Sequence, residues 1–87
     1  MVYLLATYIN NDKLSVTRSS VLYQGDMNGA MDALAQEVDQ QLDEGCIIID
    51  ENPKCVVMTH RSQYNIGNKY TIIIQVYETA GVYPYYN

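Results

Sequence analysis

One stretch of this 87-residue chain, and only one, carries a clear helical period. Met27, Ala30, Met31, Leu34, Val38 and Leu42 recur at intervals of three and four, which places them on a single stripe. Asp26 or Asn28 suits the N-cap, and Gly45 suits the position just past the end. The spacing predicts a helix over residues 26–44. The rest of the chain reads as strand. Residues 2–9 are aliphatic and Tyr-rich, Asn10 to Lys13 form a turn cluster, and residues 14–23 return. Residues 46–50 form a short β-branched run, and Pro53 marks the next turn. Residues 55–64 and 70–78 are the last two strands, with a Gly67-Asn68 hairpin signal between them.

The order is therefore β-β-α-β-β-β, an α+β fold in a single domain. If the helix carries the chain back across the sheet, every pairing is antiparallel, in the order 2-1-5-4-3. The first and last strands are then central. The last is apolar on both sides: Tyr70, Ile72, Ile74 and Val76 face one way, Ile73 and Tyr77 the other. One helix covers one face of the sheet, through Met31, Leu34, Val38 and Leu42. The other face requires a cover. The candidates are the Tyr-rich tail at residues 82–86, a second copy of the chain, or a partner, and a homodimer is expected. Tyr is the only aromatic besides His60: there are nine, with no Phe and no Trp. A ring with a polar tip suits such half-covered surfaces.

Candidate reactive groups are few. Cys46, Cys55 and His60 invite a metal or thiol reading. Pairing Asp50 with Cys55 across the Pro turn sets Cys46 opposite Thr59, with the sulfurs roughly 13 Å apart at strand rise. That separation excludes a disulfide and a shared zinc. Cys55 and His60 differ by an odd number, so they fall on opposite faces. One His and no nucleophile motif give no triad, and five scattered glycines give no phosphate loop. No cofactor or metal is expected, and the chain reads as no enzyme. No basic leader precedes the apolar start, and no run approaches the roughly 20 apolar residues of a membrane span. The expected location is cytoplasmic.

Charge distribution is the exceptional feature. Residues 19–53 hold Asp26, Asp32, Glu37, Asp39, Asp43, Glu44, Asp50 and Glu51 with no Lys or Arg, a net of −8. The remainder nets +3, which leaves −5 overall. Solvent-facing helices usually mix signs, because oppositely charged pairs four apart stabilise them. This one carries no base. It also ends in Asp43 and Glu44, beside the negative end of its dipole. Asp32, Asp39 and Asp43 form one ridge beside the apolar stripe; Asp26, Glu37 and Glu44 form another. Spacings along the first ridge, about 10 and 6 Å by helical rise, are comparable with phosphate separations on nucleic acid.

The expected function is a non-enzymatic protein-binding module. Its most concrete form is a small virus-type inhibitor that imitates nucleic-acid backbone charge and blocks a basic DNA- or RNA-binding protein. The contact set is Asp32, Glu37, Asp39, Asp43, Glu44, Asp50 and Glu51. Direct nucleic-acid binding is disfavoured by the dispersed bases. The alternative is a homodimeric structural or regulatory domain whose acids serve solubility only.

Overall fold

A computed structural model describes residues 1–60 and 70–79. It contains β1 (Val2–Asn10), β2 (Ser15–Gly25), α1 (Met27–Asp43), β3 (Cys46–Asn52), β4 (Cys55–His60) and β5 (Tyr70–Glu78). The strands form one five-stranded antiparallel sheet in the order β2-β1-β5-β4-β3. The expected hairpin signal at residues 66–69, the end of the fourth strand and the Tyr-rich tail lie outside the described residues.

Local chemistry explains the joints. At the β1–β2 turn, the Asn10 side-chain oxygen accepts from the backbone of Asp12 and Lys13, both at 2.9 Å. Leu14 closes that turn with φ of 51° and 83% exposure, an uncommon backbone for a branched residue. Asp26 caps α1 by accepting from the Gly29 amide at 2.7 Å. The Tyr23 ring lies against this first turn, and a Cβ on Gly29 would overlap its ring. Gly45 adopts φ of 101° immediately after the C-cap residue Glu44, which a residue without Cβ does at least cost.

The core lies between α1 and the sheet. Leu4, Met58, Ile72 and Ile74 are fully buried, joined by Ala6, Leu34, Cys46 and Val56. Alternation along β1 turns Tyr3 and Leu5 to the opposite face, yet both are buried as well. Also on that face, buried Thr59 accepts from Asn11 Nδ2 at 3.3 Å and donates to the Tyr70 carbonyl at 3.2 Å.

Two expectations are corrected. The stripe spacing places Leu42 on the buried face, but Leu42 is 44% exposed, while Gln41 is 3% exposed and takes that position. The helix is rolled so that Ala30, Leu34 and Gln41 face the sheet. The second correction is the β3–β4 register. Asn52, not Asp50, pairs with Cys55, and a bulge between Ile48 and Asp50 shifts the ladder, so Cys46 faces His60 rather than Thr59. Both cysteines are free thiols, and Cys55 and His60 do occupy opposite faces. The bulge lets Glu51 turn to the helix side with Val56, while Asp50 goes with Val57 to the other.

Candidate protein-binding surface

The helix acids divide by where the roll of α1 carries them. Asp32, Asp39 and Asp43 are exposed along one side of the helix. Glu44 is exposed at the C-cap, on the other side. Glu37 is half-buried and accepts from Gln41 Nε2 at 3.0 Å, so it belongs partly to the packing. Asp50 is exposed, accepts from the backbone of Glu51 at 2.9 Å, and lies on the helix-free face. Glu51 is exposed and faces the helix side. The seven candidates are therefore not one patch. The structure brings Asp39 and Glu51 to the gap between α1 and the β3–β4 hairpin, with Asp32 and Asp43 beside Asp39 on the outer side of the helix. It sets Glu37, Glu44 and Asp50 apart.

No ion pair joins these carboxylates to a lysine or arginine among the described residues. Lys54 is exposed at the β3–β4 turn, and Arg18 lies 4.2 Å over the Tyr8 ring. Arg61 and Lys69 lie outside the described residues.

Between the helix and the hairpin runs an open groove of about 570 Å³. Met31, Leu34, Ala35 and Val38 line its helix side, and Pro53 and Val56 line the other. Asp39 and Glu51 are the two charged residues on its wall. The groove follows from the roll of the helix. At about 100° per residue, Met31, Ala35, Val38 and Leu42 fall to one side of the buried line of Ala30, Leu34 and Gln41. The apolar stripe is wider than the contact it makes, and its spare edge overhangs the hairpin.

The roll has a polar cause. Gln41 Oε1 accepts from the Tyr70 hydroxyl at 3.1 Å and from Cys46 Sγ at 3.4 Å. A buried amide bonded at both ends costs little, whereas an unbonded one is expensive. His60 stacks on Tyr70 with ring centroids 5.2 Å apart and planes 9° from parallel. Its Nε2 donates to the Glu44 carbonyl at 3.1 Å, and its Nδ1 is buried without a partner. Burial pushes the Cys46 thiol up, with Glu44 adding to the effect and the Tyr70 bond opposing it. Burial also raises the Tyr70 phenol, followed by its contact with Cys46. Neither group is an activated nucleophile, since both are held in the protonated form. Burial, then Asp50, likewise raises Cys55. The cluster fastens the last turn of α1 to β3 and β5. Gln41 was legible only as a polar residue at stripe spacing, and Tyr70 only as a strand residue.

No group of three or more metal-ligating side chains occurs among the described residues, and no described helix is long and apolar enough to cross a membrane. No family model matches the chain, and neither a curated protein nor a solved structure matches it.

Proposed function

We propose that this chain is a non-enzymatic binding module that engages a basic surface of a partner protein through the acidic side of its helix. In its most specific form it is a small inhibitor that imitates nucleic-acid backbone charge. The observation that carries this reading is the exposed ridge of Asp32, Asp39 and Asp43, continued by Glu51 on the hairpin, with no basic side chain among them. One-signed exposed charge steers encounter with an opposite surface and keeps wrong partners away.

The test is comparative capture on immobilised protein, using the parent and the triple variant Asp32→Asn, Asp39→Asn, Asp43→Asn. The parent should retain a basic nucleic-acid-binding protein that duplex DNA and added salt both release. The triple variant should retain much less of it. Salt acts because exposed charges are screened beyond roughly 8 Å at physiological ionic strength. A partner held equally by the variant, and indifferent to salt and DNA, would overturn the reading.

A second reading is favoured by a separate observation. Ile47 and Ile49, on the edge strand β3, are 51% and 55% exposed. An apolar edge of this kind is a pairing surface for another chain. In this reading the protein is a homodimer whose acids serve solubility. Sedimentation over a concentration range decides it: a monomer at high micromolar concentration removes it.

A further inference from the structure

We infer that the groove between α1 and the β3–β4 hairpin is the specificity site of the acidic surface, and that it takes a short basic peptide segment carrying one apolar anchor side chain. This inference rests on the acidic-surface reading and adds the chemistry of the residue recognised.

The argument begins with the two kinds of wall. The apolar floor of the groove is formed by Met31, Leu34, Val38 and Val56, with Asn52 the one neutral polar residue on its lining, so most of its surface offers dispersion and water exclusion. Its space, about 570 Å³, falls within the roughly 300–1,000 Å³ usual for sites that take a ligand or an anchor residue. The charges on its wall are of one sign, with Asp39 on the helix and Glu51 on the hairpin. Asp32 and Asp43 carry the same sign beside Asp39 on the outer side of the helix, and both are exposed.

An acidic ridge alone would bind any polycation, with little discrimination. An apolar floor beside it changes what is preferred. The best occupant buries an aliphatic or aromatic side chain on the floor and places a cation at each wall. A purely apolar ligand leaves the two carboxylates uncompensated, and a purely basic one leaves the floor wet. The complementarity therefore selects a segment with an apolar residue between Lys or Arg residues.

Among the described residues, the packing of the helix leaves the groove open. The helix could have buried Leu42 and closed down on the hairpin. It instead buries Gln41, whose amide is fastened by Tyr70, Cys46 and Glu37. The fastening holds the spare apolar edge of the stripe outward, beside the acids.

The experiment is an amide NMR titration of the full chain with three capped pentapeptides: Lys-Lys-Leu-Lys-Lys, Lys-Lys-Ser-Lys-Lys and Ser-Ser-Leu-Ser-Ser. The first should bind at least about tenfold tighter than either of the others, since burying one Leu is worth at least a factor of ten. Shifts should centre on Ala35, Asp39 and Asn52. Ala35→Leu, at an exposed position on the groove wall, should fill the groove without changing charge and remove the preference for Leu over Ser. Equal binding of the two basic peptides, weakened by salt and unaffected by Ala35→Leu, would overturn the groove and leave the acidic-surface reading standing. Binding of Ser-Ser-Leu-Ser-Ser alone would overturn both, and so would failure of all three peptides to bind. Shifts at Ala35 and Asn52 that move with protein concentration alone would place a second copy in the groove and overturn the proposal.

Discussion

Ile72 and Ile74 on β5 have no exposed surface, whereas Ile47 and Ile49 on β3 expose about half of theirs. Both strands are β-branched and read alike as sequence. The difference lies in position. β5 lies between β1 and β4 with α1 above it, while β3 is an edge with one neighbour. The same division runs along the helix, where Leu34 is 6% exposed and Leu42 is 44% exposed. Apolar character makes these segments strand or helix. Place in the sheet order and the roll of the helix decide whether that character serves the core or the surface. The centre of the molecule is closed, while apolar side chains at β3 and at the end of α1 stay exposed.

The largest expected effect tests this division directly. Ile74→Ala and Leu34→Ala should each destabilise the fold by about 2–5 kcal/mol, because each removes packed volume from a closed site. Ile47→Ala and Leu42→Ala should stay within about 0.5 kcal/mol, as surface changes do. Urea midpoints for the four variants provide the measurement. Comparable losses at all four would show that the edge strand and the end of the helix are core after all.

Next in size is the fastening that sets the roll. Gln41→Ala leaves the Tyr70 hydroxyl without its acceptor inside the protein and should cost about 1–3 kcal/mol. Tyr70→Phe should cost less, and the double variant should cost less than the sum of the two, since they share one bond. Strict additivity would show that Gln41 and Tyr70 act independently.

A pH series sharpens the same point. Cys46 and Tyr70 are held above their ordinary values in the fold, so the folded chain retains protons that the unfolded chain releases. Their contribution is fully present below the unfolded values. It is lost as pH climbs past the ordinary thiol and phenol range, about 8.5 and 10. Urea midpoints should therefore be level toward neutrality as far as these two groups are concerned, and should fall at alkaline pH. Tyr70→Phe should make that fall shallower. An equal fall in the variant would assign the alkaline loss elsewhere.

The smallest effect concerns the acids at the end of the helix. Asp43→Asn with Glu44→Gln removes charge beside the negative end of the dipole and should raise stability by about 0.3–1 kcal/mol. A loss of stability instead would show that these carboxylates are part of the packing, as Glu37 is.

Much of the architecture was legible from residue pattern. The single helical stripe with its Asp26 cap and Gly45 stop, and strands ending at turn clusters, were enough to place the elements and to argue the order β2-β1-β5-β4-β3. Hydrophobic period and capping act over a few residues, so they can be read locally. The acidic stretch and its lack of bases were also legible, because charge is a property of composition.

What only the tertiary structure decided is how those residues are shared out. The β3–β4 bulge moved Cys46 opposite His60 and turned Glu51, rather than Asp50, to the helix side, and nothing in residues 46–55 marks which residue a ladder will skip. The roll of α1 exchanged Leu42 for Gln41, because partners 5 and 29 residues away, Cys46 and Tyr70, converge on that amide. A buried polar group is cheap only when distant donors meet it, and a groove exists only where two elements fail to close. Both are properties of elements packed together, so they become definite only when the chain is folded.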